Sequence, residues 1–100
     1  MGGGSTDSTE WVEYTFDDNG YVFIDNFESG TYLVEYSAGG VSWTAADVEW
    51  SYTQPEWDGP VDSILFSNGM ESIDVVYLGN NQTRFSRNLP AEKMRLKKIG

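Results

Sequence analysis

Val61-Asp62-Ser63-Ile64-Leu65-Phe66-Ser67, then Asn68-Gly69, then Met70-Glu71-Ser72-Ile73-Asp74-Val75-Val76-Tyr77-Leu78 is the passage that decides the fold class. It reads as two strands joined by a turn. Asn-Gly between two apolar-rich runs is the strongest short hairpin signal, because both residues tolerate the positive φ of a tight turn. In the second run Ile73, Val75 and Tyr77 point to one side. Ser72, Asp74, Val76 and Leu78 point to the other, which is the period of a strand.

The same period recurs upstream. Val12, Tyr14 and Phe16 alternate with Glu13 and Thr15, so a half-buried strand is expected there. Asp17-Asp18-Asn19-Gly20 makes a turn, and Tyr21 to Asp25 returns as a strand apolar on both faces, hence expected to be covered on both. Asn26 to Gly30 turns again before a third strand, Thr31 to Ser37. Residues 11–37 therefore predict a three-stranded meander. Val41 and Trp43, then Val48, Trp50 and Tyr52, alternate with polar residues on either side of Ala45-Ala46-Asp47. The two prolines of the Gln54–Pro60 loop cannot continue a central strand. Past Gly79-Asn80-Asn81, Gln82 to Arg87 predicts a short edge strand. Eight short strands with a turn about every ten residues predict an all-β fold, a single antiparallel sandwich or small barrel.

Composition narrows the chemistry. One hundred residues suit one domain with one modest core. The chain has no Cys and no His. It therefore lacks disulfides, thiolate metal sites and the commonest general base and metal ligand. Paired carboxylates remain the only plain catalytic device, and they need a cleft that a domain of this size rarely has. No enzymatic activity and no cofactor are expected. No run is long or apolar enough to span a bilayer. Met1-Gly2-Gly3-Gly4-Ser5-Thr6 has no charged or apolar region of a secretory signal. It fits the short myristoylation pattern at Gly2, although a Gly/Ser arm is the plainer reading. Three segments are expected: an arm over residues 1–9, a sandwich over 10–87, and a basic arm over 88–100.

Charge is segregated along the chain. All six cations, Arg84, Arg87, Lys93, Arg95, Lys97 and Lys98, fall in the last seventeen residues, against a single acid, Glu92. The preceding residues carry the other fifteen acids and no cationic side chain. Leu89, Met94, Leu96 and Ile99 are the apolar positions of the tail. Asn88 and Pro90 fit the start of a short helix, whereas Met94 and Leu96 alternating with Lys93, Arg95 and Lys97 fit an exposed or added strand. Either way the tail, too short to hold a helix alone, orders against a surface. The expected role is docking. Arg84, Arg87, Lys93, Arg95, Lys97 and Lys98 meet carboxylates while Leu89, Met94 and Leu96 supply apolar contact. The carboxylates belong to a neighbouring copy, to another structural protein, or to this same domain. A homo-oligomer is the favoured outcome, and nucleic acid is disfavoured because the acidic body opposes a polyanion.

Two further constellations stand out in the sequence. Asp17, Asn19, Ile24 and Glu28 fall on four positions of a twelve-residue calcium loop, but Tyr21 and Val22 occupy two others wrongly and the flanks are strands. No metal is expected; a looser Ca²⁺ site among Asp17, Asp18, Asp25 and Glu28 is the alternative. Trp50, Tyr52, Trp57 and Asp58, with Gln54 and Glu56, form the other cluster. Exposed aromatics beside carboxylates suit the stacking of sugar rings, so a carbohydrate-binding module with a glycan ligand is the rival function. The plainer reading places Trp50 and Tyr52 in the core. Asn81-Gln82-Thr83 matches the N-glycosylation pattern.

Phe16-Asp17-Asp18-Asn19-Gly20-Tyr21-Val22-Phe23-Ile24, followed by Glu28-Ser29-Gly30-Thr31-Tyr32-Leu33-Val34-Glu35-Tyr36, resembles the opening hairpins of small β-sandwich domains on phage virion surfaces and in bacterial adhesins. The specific likeness is the Gly-Thr-Tyr-x-Val-Glu-Tyr strand after a turn. The resemblance implies a structural module, such as a capsid decoration, cement or tail protein, and carries over no functional residue. With no secretory signal, a virion component assembled in the host cytoplasm is expected, and an extracellular location is the alternative.

Overall fold

Alternating side chains build two antiparallel sheets in the computed structural model, which describes residues 10–40 and 42–100. In chain order the strands are β1 (Val12–Thr15), β2 (Tyr21–Asp25), β3 (Gly30–Ser37), β4 (Thr44–Ala45), β5 (Trp50–Tyr52), β6 (Gly59–Phe66), β7 (Glu71–Gly79), β8 (Gln82–Asn88) and β9 (Lys93–Lys98). The first sheet runs β1-β9-β3, with β4 and β5 both on the far edge of β3. The second runs β2-β8-β7-β6. The expected arm over residues 1–9 and the expected strand position at Val41 lie outside the described residues.

The core is the set of inward faces. Tyr32, Val34 and Tyr36 of β3, Met94 and Leu96 of β9, and Trp50 and Tyr52 of β5 close it from one side. Val22, Ile64, Phe66, Ile73, Val75 and Phe85 close it from the other. Each large apolar side chain removed from water contributes about 1.5–3 kcal/mol. One residue of a connection joins them. Phe27, between β2 and β3, stacks on Tyr32 at 4.9 Å between ring centroids and meets Phe85 edge-on at 5.3 Å. A turn at Asn26–Gly30 was legible, but not that it inserts a ring into the centre. Buried hydroxyls find partners: the Tyr52 and Thr83 hydroxyls are 3.0 Å apart.

The topology differs from the meander expected over residues 11–37. β1, β2 and β3 do not pair with one another. β1 and β3 flank β9, and β2 pairs β8 in the opposite sheet. The Asp17–Gly20 turn forms, with both Asn19 and Tyr21 N–H donating to the Asp17 carboxylate, but it carries the chain across the sandwich. The N-terminal ribbon β1–β2 thus lies strand for strand against the C-terminal ribbon β8–β9. Two consequences follow. β8, expected at an edge, is central between β2 and β7; β2, expected to be covered on both faces, is an edge strand whose Phe23 stays 47% exposed.

The hairpins follow turn chemistry. β6 and β7 are joined over Ser67–Met70, with positive φ at Ser67, Asn68 and Gly69. The loop is longer than an Asn-Gly turn alone, and Asp47 fastens it by accepting the N–H of Gly69 at 3.0 Å. β7 and β8 close through Asn80-Asn81, both at positive φ (52° and 63°), the signature of a type I′ turn.

The basic tail is part of the sandwich. Its residues 93–98 are a strand held on both sides, by Val12–Thr15 and by Tyr32–Ser37. Of the two readings of the tail, strand and short helix, the alternation of Met94 and Leu96 decides for the strand. Both side chains are buried, at 0% and 2% exposure, so they supply apolar contact to their own domain and not to a partner. Leu89 packs against the same core.

Candidate functional site

Because Met94 and Leu96 of β9 point into the core, Lys93, Arg95 and Lys97 between and beside them project outward from the first sheet. Register fixes what each one meets. Arg95 lies between Glu13 and Glu35 across the neighbouring strands. Its Nε and Nη2 both donate to Glu35 Oε1, at 2.8 and 2.5 Å. The guanidinium is also clamped between two indoles, 4.4 Å from the Trp11 ring centroid and 4.3 Å from that of Trp43. Such contacts contribute about 0.5–2 kcal/mol each, more when water is excluded. Arg95 is therefore a keystone of this face, fully engaged within the domain. Nothing in the sequence pattern linked Trp11 and Trp43 to Arg95; the link appears only once β9 is threaded between β1 and β3.

Two more cations serve the fold. Arg87 turns back over Gly20, donates from Nη1 to the Ala91 carbonyl, and lies 5.7 Å from the Phe16 ring centroid. Lys98 is largely covered, with Nζ 3.8 Å from the exposed Glu28 carboxylate. A side chain at Gly30 would strike it, because a Cβ there would stand 2.7 Å from Lys98 Cε.

The other three cations have no carboxylate within 4 Å among the described residues. Lys93 and Lys97 project from β9 on either side of Arg95, Lys97 lying 5.8 Å from the Trp11 ring centroid. Arg84 is on the opposite sheet. The cross-strand row there is Phe23, Arg84, Val76 and Pro60, on β2, β8, β7 and β6. The Arg84 guanidinium sits 4.5 Å above the Tyr21 ring, and Tyr21 meets Phe23 edge-on at 5.9 Å. Arg84 Nε is buried and has no hydrogen-bond partner. The expected docking set thus divides three ways: core (Met94, Leu96, Leu89), internal ties (Arg87, Arg95, Lys98), and outward cations on two opposite faces (Lys93 and Lys97; Arg84).

The aromatic platform divides as well. Trp50 and Tyr52 are 4% and 1% exposed and belong to the core, with Trp50 Nε1 donating to Asp62 at 3.2 Å. Trp57 stands apart at 80% exposure, between the exposed Glu56 and Asp58. Loop acids act in turns, as Asp17 does, and among the described residues no group of three or more His, Cys, Asp or Glu is placed to hold a metal ion. Asn81 of the glycosylation pattern occupies the type I′ turn, its N–H donating to the Tyr77 hydroxyl.

Three tyrosine hydroxyls are shifted. Burial, helped by the Glu28 charge, pushes Tyr32 up to about 12. Burial raises Tyr14, and burial with the Glu71 carboxylate raises Tyr36. All three shifts favour the neutral phenol at ordinary pH.

No protein-family model matches this chain, and neither a characterised protein nor a solved structure does.

Proposed function

We propose that this chain is a non-catalytic structural module that docks onto an acidic neighbour, a second copy of itself first of all, within a larger assembly. The observation that carries the reading is a mismatch. The chain holds sixteen acids and six cations, yet Arg84, Lys93 and Lys97 face outward with no carboxylate in reach among the described residues. The sheet register keeps them from their own acids and leaves them for another surface. The acids of a second copy are the nearest complement, and their attraction steers association. A finer reading, a decoration, cement or tail component on a phage virion, is supported by the resemblance around the Gly30–Tyr36 strand.

The test is mass by analytical ultracentrifugation at low and high salt. Association at low salt that weakens toward 1 M, where the Debye length is about 3 Å, supports the reading. A monomer at every salt concentration, up to millimolar protein, overturns it. Carbohydrate binding is the second reading, favoured by the exposure of Trp57 between two acids. It predicts an intrinsic-fluorescence shift with oligosaccharides that Trp57→Ala abolishes; no shift excludes it.

A further inference from the structure

We infer that the Glu56-Trp57-Asp58 loop of one copy docks on the Tyr21–Phe23–Arg84 face of another. The pairing rests on the proposed self-association and names the surfaces that meet.

Each surface is incomplete alone, and in complementary ways. The face offers a guanidinium with no counter-ion among the described residues, an Nε shielded from water without a hydrogen bond, and a half-exposed Phe23. A guanidinium without a counter-ion gains charge-assisted hydrogen bonds when a carboxylate reaches its outer nitrogens. The loop offers the converse. Trp57 is a large indole at 80% exposure with a carboxylate on each side, held between Pro55 and Pro60. An indole over Phe23, with Glu56 or Asp58 at Arg84, covers the exposed ring and gives the guanidinium its counter-ion at once. Trp, Tyr and Arg are also the residues that dominate binding energy in protein interfaces.

The topology permits reciprocity. Pro60 pairs Val76, and Val76 pairs Arg84. The loop therefore leaves the second sheet two strands from Arg84, about 10 Å at ordinary strand spacing. With both features at one end of one face, a two-fold axis lets each copy's loop reach the other's arginine. Such an interface is self-complementary and closes at a dimer.

The experiment is a charge swap read by sedimentation. One variant carries Arg84→Glu; the other carries Glu56→Lys with Asp58→Lys. In either variant alone, like charges meet at both contacts, so the dimer dissociation constant should rise at least about tenfold. An equimolar mixture restores opposite charges at both contacts and should recover dimers. Trp57→Ala should weaken the dimer likewise, and its 80% exposure leaves the fold untouched. If Arg84→Glu fails to fold, the loop variant and Trp57→Ala still decide. A wild-type dimer that survives the loop variant and Trp57→Ala unchanged overturns this pairing and leaves self-association standing. A wild-type chain that never associates overturns both.

Discussion

At the residue scale, Phe27 shows how a loop position governs a core. It has no place in the period-two pattern, yet its ring lies within about 6 Å of four other aromatic rings, those of Tyr32, Trp50, Tyr52 and Phe85. Phe27→Ala should lower stability by about 3–5 kcal/mol, the range for emptying an aromatic site in a packed core. Denaturant unfolding measures it, and a loss under 1 kcal/mol would mean that the cluster closes over the gap. The tyrosines give a pH expectation. Tyr32 ionises near 10 in the unfolded chain and only at about 12 in the folded one. Above pH 10 the unfolded state therefore releases a proton that the folded state keeps, so stability falls as pH rises from 10 toward 12. It is unaffected by this group below pH 10. The decline is at most about 1.4 kcal/mol per pH unit for one group. Tyr32→Phe should make it shallower, with the raised Tyr14 and Tyr36 keeping the remainder, as read from melting temperatures between pH 9 and 12. An equally steep decline in Tyr32→Phe would assign the effect to other residues.

At the element scale, β9 is the strand on which the first sheet depends. It pairs with β1 through four residues and with β3 through six, and its inward side chains are among the least exposed in the molecule. Removing residues 93–100 opens the core and leaves β1 with no partner, so the shortened chain should lose its cooperative melt. Lys93→Gln with Lys97→Gln keeps the strand and changes only its outer face, so stability should move by no more than about 0.5 kcal/mol for each change. A shortened chain that still melts cooperatively would show that the second sheet stands alone. The element also marks the limit of what the sequence makes legible. Period two, Asn-Gly and Asn-Asn announce strands and hairpins locally, and the all-β class follows from them. Pairing of β1 with β9 and β2 with β8 is set by which faces bury together across some sixty to eighty residues, and no local signal encodes it. The same holds for the candidate site. The basic run from Arg84 is plain in the sequence, but three of its cations tie the domain together and three face out. Only the register separates Arg95, clamped by Trp11 and Trp43, from Lys93 and Lys97 on either side of it.

At the scale of the whole molecule, one charge distribution acts on two equilibria in opposite directions. The chain carries a net −10 over a body measuring 40 × 32 × 25 Å. At 0.01 M salt the Debye length is about 30 Å, so most of these charges repel one another across the fold. At 0.15 M it is about 8 Å, and only neighbours interact. Adding salt over this range should therefore stabilise the single copy. Among the described residues the side-chain ion pairs are Arg95–Glu35 and Lys98–Glu28, and the first, partly shielded from solvent, is screened less than the diffuse repulsion. A gain of about 1 kcal/mol would raise the melting temperature by about 4–8 °C for a chain of this length. The docking of one copy on another rests on opposite charges meeting near solvent, and the same salt should loosen it. Melting at low protein concentration and sedimentation at high concentration, run over one salt series, measure the two separately. Melting temperature and dissociation constant should rise together. If the melting temperature falls with salt, local pairs outweigh the repulsion of the body. If the dissociation constant falls with salt, copies meet through apolar surface, and the outward cations have some other partner.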